Sequence, residues 1–265
     1  MPRLQISPKL SIQYLEINPR GSPAVLLLHG LGACGASWAL QFPALVDAGY
    51  RVIAPDIRGF GQSTYPGGRL RISDLAADMS CLLERLMTGP VYLVGISLGG
   101  AIAIQFALDS PALIRKMVLV NAFASLRPKS PSLWFYYAVR FILVHTLGLP
   151  AQARAVAHRI FPHPEQDALR QELVKEICQA DPDGYRAVMR SLALFNVANR
   201  LNEIHAPVLI ISGEEDTTVP QSVQLDLQKG LPAAEHIRIP AAGHAVIVDQ
   251  PELFNRHLLE FLHHS

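Results

Sequence analysis

The segment Gly95-Ile-Ser-Leu-Gly99 places a serine between two glycines, a spacing typical of a nucleophile on a tight turn. An apolar, strand-like run at 91–94 comes directly before it, and a helix-like run begins at Gly100. In such a strand-to-helix turn, side chains two residues on either side of the serine would collide, so glycine is required there. We therefore predict that Ser97 is a nucleophile with a strained backbone and an accessible hydroxyl.

A serine hydroxyl is a weak nucleophile at neutral pH unless a base takes its proton, so Ser97 requires a histidine. The chain has ten histidines. His244 follows the last predicted strand and precedes the last predicted helix, in the kind of loop that forms sites at the carboxyl edge of an α/β sheet. We predict that His244 is the general base; the alternative is an exposed loop histidine.

The carboxylate that orients the histidine is expected in another loop at the same edge. The apolar run 208–212 leads into Gly213-Glu-Glu-Asp216, which ends in acidic residues. Asp216 is our prediction, because the residues after it start the next helix and leave it at the turning point of the loop. Glu214 and Glu215 are expected to face solvent, but either could take the role, since glutamate also orients histidine.

Two backbone N–H groups are predicted to bind the oxyanion that forms when the serine attacks a carbonyl. Leu98 follows the nucleophile and begins a helix, whose dipole directs its positive end toward the site. Leu31 lies in His29-Gly-Leu-Gly32, after the predicted central strand, and gives the second donor. His29 itself is interpreted as a structural residue that hydrogen-bonds to neighbouring loops.

Apolar runs that alternate with helical patterns predict an α/β fold, with a mostly parallel central sheet flanked by helices. The run 24–29 is so uniformly apolar that we expect a central strand covered on both sides. Apolar spacing predicts a crossover helix at 72–86 and a C-terminal helix that Asp249 caps. Further strands are predicted at 51–55, 91–95, 116–121, 207–212 and 235–240.

Strand signals disappear between residues 125 and 199, where prolines break helical patterns. We predict that 125–199 is a helical cap inserted into a core formed by residues 1–124 and 200–265. The prolines that mark the breaks are Pro128, Pro131, Pro150, Pro162, Pro164 and Pro182.

The first predicted cap helix, near 133–147, is rich in aromatic residues. Trp134, Tyr137 and Phe141 are predicted to line an apolar substrate pocket, and the alternative is that they pack the cap onto the core. Arg190, in the last cap helix, is predicted to bind a substrate carboxylate, and the alternative is a solvated helix face.

Composition points to small-molecule partners. Half of the 265 residues are apolar and the net charge is +1, which gives no basic face for nucleic acid or anionic lipid. The first ten residues lack the apolar run of a signal peptide, and no segment approaches the length of a membrane span, so we expect a cytoplasmic protein without membrane insertion. Monomer and homodimer both stay open.

Five segments together resemble the capped α/β-hydrolase superfamily, across nearly the whole chain. The resemblance implies serine hydrolase chemistry without a metal or organic cofactor. It also implies that 56–63 is a scaffold loop at the entrance to the site. The segments are HGLG at 29–32, DIRGFGQS at 56–63, GISLGG at 95–100, GEED at 213–216 and AGH at 242–244.

The residues and the resemblance favour a carboxylesterase-like enzyme that acts on small, fairly apolar esters through an acyl-enzyme intermediate. A lactonase, a thioesterase or a C–C bond hydrolase with the same triad is the alternative. The resemblance to C–C hydrolases is weaker, because Ile96 and Ala245 stand where those enzymes typically carry asparagine and tryptophan. A ligand-sensing protein on a hydrolase scaffold is the alternative of a different class.

Overall fold

A computed structural model describes residues 2–126, 131–231 and 233–263, and within these residues eight strands form one sheet. The order across the sheet is β1-β2-β4-β3-β5-β6-β7-β8. Neighbours from β4 to β8 are parallel, whereas β2 is antiparallel to both β1 and β4. The strands are β1 (Arg3–Ser7), β2 (Leu10–Ile17), β3 (Ala24–Leu28), β4 (Arg51–Pro55), β5 (Val91–Ile96), β6 (Ile114–Val120), β7 (Val208–Gly213) and β8 (Glu235–Ile239).

The predicted α/β fold class is confirmed, and the six predicted strands correspond to β3 to β8 within two residues at each end. Every residue of β3 is buried, because helices cover both faces of the sheet at this position. No sequence pattern predicted β1 and β2. These strands form an antiparallel pair at the edge of the sheet, and the residues of β1 are largely exposed, so the sequence there lacks a continuous apolar run.

The helices outside 131–194 are α1 (Phe42–Asp47), α2 (Ile72–Arg85), α3 (Leu98–Asp109), α8 (Gln221–Gly230), α9 (Val246–Asp249) and α10 (Pro251–His263). Successive side chains of a strand point to opposite faces. Leu26 and Leu28 accordingly pack with α2 and α3, whereas Val25 and Leu27 pack with α1 and α10. The two hydrophobic layers hold the carboxyl ends of the parallel strands, and hence the loops that follow them, at one edge.

The predicted C-terminal helix is present, but its predicted cap is wrong. Asp249 is the last residue of α9, and Gln250 separates it from Pro251 at the start of α10. The Asp249 carboxylate instead accepts a hydrogen bond from the backbone N–H of Gly243, at 2.9 Å. Its partner therefore lies in the loop that carries His244.

Between β6 and β7 the described residues form α4 (Pro131–Thr146), α5 (Gly148–Ile160), α6 (Asp167–Gln179) and α7 (Pro182–Leu194). We call residues 131–194 the helical segment. Prolines begin α4 and α7, as expected where the missing N–H has no intrahelical partner. Pro128, one of the predicted breaks, lies outside the described residues. No helix in the described part of the chain has the length and apolar character needed to cross a membrane.

Candidate active site

Ser97 lies at the junction between β5 and α3. Its backbone angles are φ 54° and ψ −110°, a strained conformation for a residue with a side chain. A Cβ atom on Gly95 would lie 2.3 Å from the Gly99 carbonyl oxygen, and one on Gly99 would lie 2.1 Å from the Leu28 carbonyl oxygen. Both glycines are therefore required, although at Gly99 the obstacle is the backbone of Leu28 and His29, at the end of β3, and not the turn itself.

Ser97 is partly exposed and lines a cavity of about 370 Å³. Loops at the carboxyl edge of the sheet form one wall, and α4, α5 and α6 of the helical segment contribute the other. The lining is mostly apolar, and the volume suits a small molecule. His244 lines the same cavity, so the structure brings the predicted nucleophile and the predicted base to one site.

His244 is held by Asp216. Its Nδ1 lies 2.8 Å from Asp216 Oδ2, and both side chains are almost completely buried. The other carboxylate oxygen, Oδ1, accepts hydrogen bonds from Thr218 N (2.7 Å) and Val219 N (3.0 Å). When Nδ1 donates its proton to the carboxylate, Nε2 is left as the acceptor, which is the tautomer that a general base needs.

The two competing acids point elsewhere. Glu214 forms an exposed ion pair with Arg238 at 2.8 Å, and Glu215 lies 3.8 Å from His163. Asp216 is the acid that reaches His244. The hydrogen bonds of the described residues do not include one from the Ser97 hydroxyl to the His244 ring, and catalytic hydrogen bonds are often long before substrate binds.

The predicted oxyanion donors lie on two sides of Ser97. Leu98 is the first residue of α3, and Leu31 lines the cavity. Neither N–H donates a hydrogen bond to another backbone group in the described loops, so both are free to bind an oxyanion. The loop of Leu31 is close to the nucleophile, since a Cβ on Gly30 would lie 3.9 Å from Ser97 Cβ.

The family comparison agrees with this architecture. Residues 23–251 match the family described as alpha/beta hydrolase fold. The chain belongs to the α/β-hydrolase family. It is 34% identical over 259 residues to the protein named "Putative carbamate hydrolase RutD" of Variovorax paradoxus strain S110, with 96% of both chains covered.

Solved structures give the same result. A thermophilic esterase from Thermogutta terrifontis is 25% identical, with a TM-score of 0.86 and coverage of 99% of this chain and 98% of that one. The enol-lactonase from Burkholderia xenovorans LB400 has a TM-score of 0.90 at 24% identity, with 99% and 100% covered, a likeness that shows the fold alone.

In this α/β-hydrolase, the loop of His244 is held by an asparagine that no sequence pattern singled out. Asn121 is buried at the end of β6, with φ 43°. Its Nδ2 donates to the carbonyl oxygens of Gly243 (3.1 Å) and His244 (2.8 Å), and its Oδ1 accepts from Gly213 N (3.1 Å). The available signal was a polar residue that ends an apolar strand at the carboxyl edge.

Asp249 holds the same loop from its other side. Its Oδ2 accepts from Gly243 N at 2.9 Å, and its Oδ1 accepts from Gln166 Nε2 at 3.2 Å. Burial raises the pKa of the Asp249 carboxyl group. Gln166 lies immediately before α6, so this carboxylate links the His244 loop to the helical segment.

His29 makes the hydrogen bonds expected of a structural residue. Its Nε2 accepts from Ile57 N at 2.9 Å, and its Nδ1 lies 2.8 Å from the Gly30 carbonyl oxygen. Burial lowers the pKa of His29, so the ring is neutral at neutral pH. Hydrogen bonds to backbone groups also fix the loop 56–63: the Asp56 carboxylate accepts from Gly35 N and from Gln62 N, both at 2.8 Å.

Of the four predicted substrate-binding residues, Tyr137 lines the cavity. Trp134 is 64% exposed and Phe141 47% exposed, and neither is among the cavity-lining residues. Arg190 is exposed on α7 and also lies outside the lining. The helix turns Tyr136 and Arg140 toward the cavity together with Tyr137, because positions three or four apart share a face.

Glu176 also lines the cavity and forms a polar cluster with Ser37 and Cys34. Its carboxylate accepts from Ser37 Oγ (3.4 Å) and from Cys34 Sγ (3.7 Å). Burial raises the pKa of Glu176. Burial and the nearby Glu176 raise the pKa of the Cys34 thiol to about 11, so Cys34 is not a competing nucleophile at neutral pH.

Proposed function

We propose that this α/β-hydrolase is a serine hydrolase that cleaves carboxylic esters of small, largely apolar molecules. The observation that carries the proposal is the strained Ser97 in one cavity with His244, whose Nδ1 is bound to Asp216 at 2.8 Å. In this proposal the helical segment is a cap that closes the cavity over the nucleophile.

The mechanism is two-step acyl transfer. Ser97 Oγ attacks the ester carbonyl while His244 Nε2 takes the hydroxyl proton, and Asp216 stabilises the imidazolium that forms. The N–H groups of Leu31 and Leu98 bind the oxyanion, at about 3 kcal/mol per donor. His244 then gives the proton to the leaving alcohol, and the acyl group stays on Ser97. Water, activated by His244, attacks the acyl-enzyme, and the acid leaves as Ser97 recovers its proton.

The apolar lining supports an ester with a hydrocarbon acyl or alcohol group. Phe123, Leu173 and Leu192 contribute apolar surface to the cavity that contains Ser97. Such a surface stabilises a buried apolar group by roughly 25 cal/mol per Å². The thermophilic esterase of T. terrifontis also supports this substrate class. A lactone or a thioester would undergo the same two steps.

Carbamate hydrolysis is the second candidate, because the relative from V. paradoxus bears that name and matches over 96% of both chains. A carbamate also has a carbonyl that Ser97 can attack. The mostly apolar cavity of about 370 Å³ favours an ester that fills more of it. An aryl carbamate belongs in the same assay, and turnover of the carbamate but not of esters would favour this second function.

The test combines kinetics with active-site labelling. Wild type, Ser97→Ala and the exposed control Ser7→Ala are assayed on p-nitrophenyl acetate, butyrate and hexanoate. We expect Ser97→Ala to fold normally and lose at least about a thousandfold in kcat. A fluorophosphonate should label Ser97, as located by mass spectrometry, in wild type and in Ser7→Ala. Residual turnover near the wild-type level, or a label on another residue, would remove Ser97 from this role.

A further inference from the structure

Arg140 lies in the cavity without an acidic partner. Its side chain is partly buried and lines the cavity that contains Ser97. No acidic residue in the described ranges forms an ion pair with it, and the residues outside those ranges include no aspartate or glutamate. Removing a charge from water without a counter-charge costs free energy, so such arginines are rare unless a bound ligand supplies the negative charge.

Protein groups satisfy one side of the guanidinium. With the Gln152 amide oriented so that its oxygen faces Arg140, that oxygen accepts from Nε at 2.9 Å and from Nη2 at 3.0 Å. Nη2 also lies 3.4 Å from the Tyr185 hydroxyl. Within the described part of the chain, Nη1 donates to no residue. The guanidinium is thereby fixed in orientation while one donor group stays available.

A second cation adds to the positive charge at this end of the cavity. The guanidinium of Arg140 lies 5.5 Å from the centre of the Tyr136 ring, and that of Arg159 lies 4.0 Å from it. Both contacts stabilise the cations without neutralising them, because a tyrosine ring carries no net charge. Tyr136 itself lines the cavity, so both guanidinium groups contact a ring that a ligand can reach.

The acidic residues of the cavity have different partners. Glu176 accepts from Ser37 and Cys34, and Glu172 pairs with Lys175 at 3.4 Å. Neither shares a hydrogen-bond partner with Arg140. Among the described lining residues, the acids are bound to groups other than Arg140, so an anionic ligand is expected to turn its charge toward Arg140.

We propose that Arg140 binds a carboxylate of the substrate, so that the preferred substrates are acids that carry an ester group as well, such as hemiesters of dicarboxylic acids. The inference rests on the proposed function, because it identifies the substrate class of the Ser97 site. The planar guanidinium is suited to a carboxylate, to which it donates charge-assisted hydrogen bonds. The sequence assigned this role to Arg190, which lies outside the cavity lining.

A matched pair of esters tests the proposal by kinetics. The mono-p-nitrophenyl ester of glutaric acid carries a free carboxylate, and its methyl ester lacks the charge. We expect Arg140→Gln to lower kcat/KM for the acid about 10- to 100-fold and to change the neutral ester less than about threefold. Arg140→Lys should keep part of the preference, since the charge stays but the planar fork is lost.

Two control variants sharpen this result. Arg154→Gln removes an exposed arginine of α5 that lies outside the cavity lining and should leave both values unchanged. Arg190→Gln tests the arginine that the sequence analysis named for this role. Equal losses on both esters in Arg140→Gln, or a loss of acid preference in Arg190→Gln instead, would overturn the assignment. Activity on the neutral ester also reports whether Arg140→Gln folds.

Binding without turnover separates this inference from the proposed function. Calorimetry with Ser97→Ala and glutarate should detect binding that the double variant Ser97→Ala/Arg140→Gln loses, and dimethyl glutarate should not depend on Arg140. Absence of glutarate binding to Ser97→Ala contradicts the carboxylate site. If wild type hydrolyses neither ester but glutarate binding still requires Arg140, the proposed hydrolysis fails while the carboxylate site stands.

Discussion

Two buried histidines of this chain differ in their partners rather than in their exposure. Backbone groups occupy both ring nitrogens of His29, which contact Ile57 N and the Gly30 carbonyl. His244 has one nitrogen on the Asp216 carboxylate and lines the cavity. The backbone bonds leave no free acceptor on the His29 ring, whereas the bond to Asp216 uses Nδ1 of His244 and leaves its Nε2 without a partner among the described residues. The partners therefore assign a structural role to His29 and are suited to proton transfer at His244.

The lowered pKa of His29 predicts a pH-dependent contribution to stability. Burial keeps the folded ring neutral, so below about pH 6.5 the unfolded chain binds a proton that the folded protein excludes. This contribution is present above pH 6.5 and is lost as pH falls toward the folded pKa, by at most about 1.4 kcal/mol per pH unit. We expect His29→Asn to be less stable than wild type at pH 8.

The measurement is urea denaturation of wild type and His29→Asn at intervals between pH 5 and pH 8. The difference in free energy of unfolding between them should shrink by about 1–2 kcal/mol from pH 7 to pH 5. Groups common to both proteins cancel in this difference, including His236, whose pKa burial also lowers. A difference that is constant with pH would contradict the linkage to His29.

At the scale of elements, three parallel strands assemble the site from distant parts of the chain. Asn121 follows β6, Asp216 lies in the loop after β7, and His244 lies in the loop after β8. The strands pair in the order β6-β7-β8, so these loops are adjacent at the carboxyl edge. Asn121 joins them through its hydrogen bonds to Gly213 and to the His244 loop.

Removal of this side chain should disturb both stability and catalysis. Asn121→Ala leaves one buried N–H and two carbonyl groups without their partner, so we expect a loss of about 3 kcal/mol in free energy of unfolding. The His244 loop is then less well fixed, so kcat on p-nitrophenyl butyrate should fall about tenfold or more while KM changes little. Urea denaturation and steady-state kinetics measure the two effects.

Asn255→Ala is the matched control for that experiment. Among the described residues, the Asn255 amide makes one exposed hydrogen bond, to the Leu40 carbonyl at 3.0 Å, and none to the loops that follow β6, β7 and β8. We expect a change in stability below about 1 kcal/mol and an unchanged kcat. If Asn121→Ala keeps full kcat at a temperature where it is folded, Asn121 supports the fold without positioning His244.

At the scale of the whole molecule, the cavity exists because the helical segment lies over the carboxyl edge of the sheet. Leu173 of α6 and Val156 of α5 face the same space as Ser97. The depth available to a substrate is thus set by helices that connect β6 to β7, not by the sheet itself. A residue that fills this space should limit substrate length without touching Ser97 or His244.

Leu173→Trp tests whether the helical segment sets the length of substrate that the cavity accepts. We expect kcat/KM on p-nitrophenyl hexanoate to fall about tenfold or more, because the larger ring occupies cavity volume. The acetate ester, which needs less space, should keep its kcat/KM within about threefold. The readout is the ratio of the two values, which cancels any loss of active protein.

Leu225→Trp places the same substitution on α8, at a leucine that is 49% exposed and lies outside the cavity lining. Its ratio should equal that of wild type. An unchanged ratio in Leu173→Trp would show that the hexanoate chain does not extend toward α6.

The sequence by itself determined the α/β fold class, because parallel strands buried on both faces carry continuous apolar runs that short helices separate. It also determined the strained turn at Ser97, since Gly95 makes room for the Gly99 backbone within the turn itself, whereas Gly99 makes room for the end of β3. The strands β1 and β2 were not predicted, because β1 is largely exposed and β2, although mostly buried, mixes polar residues among its apolar ones instead of forming a continuous apolar run.

Only the tertiary structure decided which distant side chains meet. It distinguished Asp216 from Glu214 and Glu215, turned Trp134 and Phe141 away from the cavity, and brought Arg140 into it rather than Arg190. Strand order and the rotation of each helix about its axis set these outcomes. Both depend on packing between segments far apart in the chain, which local residue patterns do not encode.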